Sequence, residues 1–308
     1  MDKSPLVSII IPTFNNADLI TFAIESVLAQ TYTNYEAIII DNFSNDNTDD
    51  VVARYANVNP RIRYFKYNNQ GLVGRARNYG VSQCTGSLIA FLDSDDVWMP
   101  DKLQFVVSRF NEDDGIDLIC HWEKLRDMGT VTRDLIYGPV SEVTFKKLLF
   151  SENKLSPSAV TMKKALFEEL SGFDPNIEVK YAEDYDFWLR MTRHGCRIEF
   201  IPEFLGEFRI TGKNFGNNID QQLISMRKII DKHYKQMDNK TIYTDILYRK
   251  KIASVYMSQA WANFRADKKN DAYRLIFSGL SVWPFSIKSY ISIILFLLNK
   301  DFKPKLKK

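Results

Sequence analysis

Short apolar runs alternate with amphipathic segments through the first hundred residues, and that alternation restricts the chain to few architectures. Leu6 to Ile11 is a β-branched run stopped by Pro12, the pattern of a strand covered on both faces. Asp18 to Ala29 places Leu19, Ile20, Ala23, Ile24, Val27 and Leu28 on one face of a helix. Tyr35 to Ile40 is a second buried strand, a polar turn fills 42–47, and an Asn-Asp-Asn-Thr entry predicts a helix over 48–55. Arg61 to Tyr67 and Ser87 to Leu92 read as two more strands, with a helix over 72–83 between them. Strands joined through helices fold as right-handed βαβ units, so an α/β fold around a mostly parallel sheet is expected.

In such sheets ligands bind beyond the carboxyl ends of the strands. Pro12-Thr13-Phe14-Asn15-Asn16, Asp41-Asn42-Phe43-Ser44 and Asp93-Ser94-Asp95-Asp96 all fall there, so polar and acidic groups converge on one edge. From about Gly115 to Arg209 the pattern is mixed, with helices expected over 145–150 and 182–194. Beyond about Ile219 long helical patterns dominate (221–237, 241–265, 271–279), which predicts an Rossmann-like domain over 1–218 and an all-helical one over 219–308.

Charge narrows the function classes. Forty-one basic and 38 acidic side chains leave a net charge of only +3, so no global field draws the chain to nucleic acid. Cys84, Cys120 and Cys196 are far apart and in no CxxC spacing, which signals neither a disulfide framework nor a zinc site and points to reduced thiols in the cytoplasm. The N-terminus lacks the basic and apolar blocks of a secretory signal.

The Asp93-Ser94-Asp95-Asp96 stretch is the most informative. Three carboxylates in four residues at a strand end are costly unless a positive charge sits among them, and a hard divalent cation bridging carboxylates and substrate phosphates answers that cost. A solvated turn capping a helix at Asp96 is the bland alternative.

Pro12-Thr13-Phe14-Asn15, Asp41 through Asp46, Ala76-Arg77-Asn78 and the DxDD cluster occur in order at the spacing of successive βα units. Together they resemble the family 2 glycosyltransferases of the GT-A fold, of bacterial cell-surface polysaccharide type, over roughly residues 6–209. The resemblance implies an inverting, metal-dependent hexosyltransferase with a nucleotide-diphosphate sugar as donor. Pro12, Thr13 and Phe14 would line the nucleotide, and Asp41 would contact its base, with Asn42 standing where many relatives have a second aspartate. The segment carrying Gly71, Arg75, Arg77 and Asn78 would border the donor, its guanidinium groups offsetting phosphate charge. In the DxD-like motif Asp93 and Ser94 would face the donor, Asp95 would ligate Mn²⁺ or Mg²⁺, and Asp96 would support them.

Glu183-Asp184 opens an apolar-rich helix, where the helix dipole alone accounts in part for acidic residues. The resemblance assigns Asp184 as the catalytic base that takes the proton of the acceptor hydroxyl, with Glu183 orienting its neighbours. It also puts Trp122, Ser158 and Arg209 on the acceptor side. No histidine follows Arg209, where Ile210-Thr211-Gly212 stands. His194, before Gly195, reads as a helix-end histidine.

The C-terminus joins Trp283-Pro284-Phe285, an apolar run over 291–298 and five lysines against Asp301 in the last nine residues. Peripheral contact with an anionic membrane at the inner face of the cell, and a core helix with a charged end, both fit. The acceptor implied is a growing surface glycan or a lipid-linked glycan, and the helical segment offers an oligomer surface. Three rivals differ in sequence. A sugar nucleotidyltransferase would carry a Gly-rich basic loop after the first strand, a non-catalytic nucleotide-sugar binder or scaffold would have lost the base, and a processive synthase would carry spanning helices.

Overall fold

The computed structural model describes residues 4–127, 129–210, 219–298 and 300. Two compact units divide the chain, one of Met1–Leu148, Asn153–Ile177 and Glu183–Phe215, the other of Leu149–Glu152, Glu178–Ala182 and Gly216–Lys308. The first opens with β1 (Val7–Thr13), α1 (Ala17–Leu28), β2 (Tyr35–Asp41), α2 (Thr48–Ala56), β3 (Ile62–Lys66), α3 (Val73–Ser82) and β4 (Leu88–Phe91). Then come β5 (Val97–Trp98), α4 (Lys102–Glu112), β6 (Leu118–Asp127), β7 (Thr130–Leu135), α5 (Phe145–Phe150), β8 (Val160–Lys163), α6 (Lys164–Glu169), α7 (Glu183–His194) and β9 (Ile198–Ile210).

The strands form one sheet in the order β3-β2-β1-β4-β8-β6-β9-β5, with β7 paired to β6. Every residue of β1 and β2 is buried, as expected of strands covered on both faces. Helix α3 lies so close over β1 that a Cβ on Gly80 would meet Ile10 at 2.6 Å. β3, β2, β1 and β4 run parallel, and β6 runs parallel to β9. The four-residue β8 sits antiparallel between β4 and β6, so the second half of the sheet is mixed.

Register positions the site. Thr13 pairs with Asp41 and Ile10 with Phe91, so the loops after β1, β2 and β4 leave the same edge side by side. The α2 entry differs in detail from the sequence expectation. Asn47 makes no side-chain cap; the Asp46 carboxylate accepts from Thr48 N at 3.0 Å and from Ala17 N at 3.1 Å, holding two helix N-termini at once. Helix α4 is an addition to the expected elements, although Leu103, Val106, Val107 and Phe110 carry helical spacing and are buried.

The second unit contains α8 (Ile219–Lys235), α9 (Ile242–Arg265), α10 (Lys269–Val282) and α11 (Ile287–Leu297). Thr241 and Thr244 form a reciprocal capping box at the start of α9. The Tyr234 and Tyr248 rings stack at 4.3 Å to join α8 to α9, and Phe264 and Phe296 stack at 4.1 Å to join α9 to α11. Among the described residues no helix is long and apolar enough to cross a membrane.

Candidate active site

The β1 end supplies Thr13, whose buried hydroxyl has no hydrogen-bond partner, and Phe14, whose ring is more than half exposed. Beside it the β2 turn exposes the Phe43 ring, with Phe43 at φ 56°. Asp41 does not reach outward as a base contact would. It is fully buried, and its oxygens accept from Ser44 N at 3.2 and 3.1 Å, from the Ser44 hydroxyl, and from Tyr64 OH at 3.0 Å. A carboxylate so occupied braces the turn. The Asn42 amide oxygen is likewise taken, by Asn69 N at 3.0 Å. Ser94 is buried too, accepting from Asn16 Nδ2 at 2.9 Å, and so supports the loop rather than opening to a ligand.

Arg77 connects the two acidic motifs. The residue is 3% exposed, and its guanidinium donates to Asp93 Oδ1 at 2.6 Å through one arm and to Glu183 Oε1 at 3.0 Å through the other. Burial works against its charge, but Asp93 and Glu183 outweigh that and raise its pKa further. Both arms of the Arg77 guanidinium are thus engaged by carboxylates. Arg75, at the rim, donates to Pro175 O at 2.9 Å and pairs with the Gln70 amide oxygen. Asn78 exchanges two hydrogen bonds with the Phe173 backbone, at 2.8 and 2.9 Å, and so fixes the loop before α7 against α3.

The three aspartates after β4 diverge. Asp93 turns to Arg77. Asp96 is buried, accepting from Ser158 Oγ at 2.6 Å and Arg209 N at 2.9 Å. Burial drives its pKa well up, with the nearby Glu123, Asp95 and Asp93 adding to the effect. Asp95 stays half-buried between them. Among the described residues no three His, Cys, Asp or Glu side chains converge to hold a metal ion. A cage made only of protein ligands therefore does not fit. A hard cation that takes one or two carboxylates and completes its shell with substrate phosphates does fit Asp95 and the far side of Asp93.

Helix α7 brings Asp184 to a cavity of about 320 Å³ lined also by Leu125, Arg133, Tyr137, Ser156 and Phe208. Burial first, then the neighbouring Glu183, push the Asp184 carboxyl up to about 7, with Arg77 pulling the other way. Of the other acceptor-side candidates, Ser158 is buried and braces the aspartate motif, donating to Asp96 and accepting from Asp93 N at 3.2 Å. Trp122 packs on Phe204 at 5.4 Å and its indole N–H donates to Tyr137 O at 3.0 Å, which suits a structural aromatic better than a sugar platform. Arg209 uses its backbone on Asp96 and lays its guanidinium over the Phe22 ring at 4.5 Å. His194 pairs with Glu169 at 3.3 Å, away from the site.

A buried polar cluster lies under the site; the family resemblance places its His121-Trp122-Glu123 segment on the acceptor side, and its Lys102 escaped the sequence. Glu123 accepts from Tyr137 OH at 2.8 Å, and burial raises its carboxyl to about 7. Lys102 is fully buried over the Trp98 ring at 3.6 Å and donates to Thr161 at 2.8 Å. His121 shares Glu123's face of β6, donates to Trp122 O at 2.8 Å, and is held neutral by burial, its pKa near 3. The available signal was the pair of polar residues at i and i+2 directly after the apolar start of β6, Leu118-Ile119-Cys120.

Residues 8–171 match the family model described as glycosyl transferase family 2. The chain belongs to that family. A curated relative from Rickettsia typhi, named an uncharacterized glycosyltransferase, is 34% identical over 71% of this chain and 69% of its own. The putative teichuronic acid biosynthesis glycosyltransferase TuaG of Bacillus subtilis is 29% identical over 70% of this chain and 82% of its own. Among solved structures, S. aureus TarS 1-349 in complex with UDP-GlcNAc aligns with a TM-score of 0.66 at 17% identity, over 96% of this chain and 93% of that one. The mannosyltransferase PcManGT from Pyrobaculum calidifontis, in complex with GDP-Man and Mn2+, aligns at 0.62 and 18% identity over 96% and 80%. This family 2 glycosyltransferase thus has the GT-A fold, and its enzymatic class is glycosyl transfer.

Proposed function

We propose that the chain transfers a sugar, with inversion and with a divalent cation, from a nucleotide-diphosphate donor to an acceptor hydroxyl, and that residues 1–218 carry the reaction. The observation that supports this most is Asp184, a carboxylate at a cavity with a pKa near 7, joined through Glu183 and Arg77 to the aspartate motif. A base whose pKa lies near the working pH combines availability with proton affinity. The donor lies over the ends of β1 and β4, its nucleotide against Pro12, Thr13 and Phe14. Thr13's unpaired hydroxyl supplies a polar contact. Asp95, with Asp93, would hold the cation, which would supply positive charge to the leaving diphosphate.

The acceptor enters the cavity with its hydroxyl toward Asp184. Its oxygen attacks the anomeric carbon, the bond from that carbon to the phosphate oxygen breaks, and the proton passes to Asp184. A single displacement from the face opposite the leaving group inverts the anomeric centre. Arg77 keeps Glu183 and Asp93 fixed while the proton passes to Asp184 and charge develops on the leaving diphosphate. The relative named for teichuronic acid biosynthesis supports a surface glycan as the acceptor class.

Thermal stabilisation by nucleotide diphosphates and nucleotide sugars, with and without Mn²⁺, tests this reading, since a ligand of the native state raises the midpoint. One nucleotide should give a metal-dependent rise that Asp95→Ala abolishes and Asp184→Ala keeps while losing turnover. No rise with any nucleotide contradicts the reading.

A further inference from the structure

Helix α11 is amphipathic the wrong way round for a core helix. Its protein-facing side consists of Ser289, Ser292 and Phe296, all buried. Ser292 accepts from Trp261 Nε1 at 3.0 Å and Phe296 stacks on Phe264, so polar and aromatic groups dock the helix on α9. The outward side holds Ile287, 74% exposed, with Ile291, Ile294, Leu297 and Leu298, following Phe285 at the helix entry. These recur at intervals of three and four and form one stripe. Such an aliphatic stripe in water needs a cover.

The charges around it select the cover. From Trp283 to Lys300 the sequence has no acidic residue, whereas Lys288 and Lys300 are exposed and Lys250 lies over the Trp283 ring at 5.2 Å. Lys303, Lys305, Lys307 and Lys308 lie outside the described residues and add only their charge in sequence. Eleven helical residues span about 16 Å, too short to cross a bilayer. We propose that α11 lies in the plane of an anionic membrane surface, its aliphatic stripe among the acyl chains and its lysines against the headgroups. A second copy of the chain would bring like charges together across the same face.

The test is co-flotation of the protein with vesicles of phosphatidylcholine alone or of phosphatidylcholine mixed with phosphatidylglycerol. Binding is expected only to the anionic vesicles, weakening as salt rises. Ile294→Asp and Leu297→Asp should each reduce it about tenfold or more, whereas Val58→Asp, at an exposed apolar site in the other unit, should leave it unchanged. Both stripe positions are exposed, so thermal midpoints should match wild type. No binding at low salt, equal binding to neutral vesicles, or a dimer in solution that Leu297→Asp dissociates would each overturn the proposal.

Discussion

Two acidic motifs share one guanidinium and end in different states. At 93–96, Asp93 gives one oxygen to Arg77, and Asp96 is locked by Ser158 and the Arg209 backbone. At 183–184, Glu183 takes the other arm of Arg77, and Asp184 is left beside a cavity with its pKa near 7. Residues of one chemical type thus divide into braces and a carboxylate left beside a cavity, the base of the proposed reaction, and the division follows from partners rather than from residue identity. Arg77 is the common support. Its partners lie 16 and 106 residues away, so the link exists only after β4 and α7 have been brought to one edge of the sheet.

If Asp184 alone does proton work, removing its charge should be the most damaging single change. Asp184→Asn should lower kcat by about 10²- to 10⁴-fold with donor binding retained, as read from initial rates and thermal shift. Asp96→Asn should act mainly on folding, and an equal fall in kcat with an unchanged midpoint would erase the distinction between the motifs. Next in size is the shared brace. Arg77→Met leaves two carboxylates facing each other in a buried site and should destabilise by about 3–5 kcal/mol, measurable by denaturant unfolding. A loss below about 1 kcal/mol would show that the two motifs stand independently.

The pH dependence of stability sharpens the contrast further. Glu123 and Asp184 both titrate near 7 in the folded chain, above their ordinary values of 4.5 and 3.8. The folded state then binds more protons than the unfolded one between about pH 4 and 7, so stability should fall as pH rises through that window and level off above it. Glu123→Gln should flatten the fall, with an effect on the order of 2–3 kcal/mol at pH 8. A midpoint that rises from pH 5 to 7 would contradict the assignment. The smallest effect is expected at Trp122→Phe, which removes one hydrogen bond to Tyr137 O and should cost about 1 kcal/mol with kcat nearly unchanged.

The parallel half of the fold was legible because β1 and β2 are buried on both faces and so read as unbroken apolar runs ending in polar loops. Asp95 and Asp184 stood out as candidates because one follows the apolar β4 and the other opens the apolar-rich α7. The mixed half was not legible in the same way. β8 has four residues and inserts antiparallel between β4 and β6, a pairing that no local pattern encodes. Lys102 looks like any surface lysine until Trp98 and Thr161 close around it. Asp41 and Ser158 show the converse, since the family resemblance suggested ligand contacts for both while their neighbours had already claimed their hydrogen bonds. Position in a motif was readable, but occupancy of a side chain's donors and acceptors depends on tertiary partners.

The central claim, that Asp184 is the base, is tested most directly by the pH profile of kcat/KM with the donor that the thermal panel selects. Wild type should gain activity as pH rises through about 7, because the carboxylate must be ionised to accept the proton. Asp184→Asn should lose both the rate and that limb. A variant that keeps the limb, or a wild type that is flat from pH 5 to 8, would place the proton acceptor elsewhere.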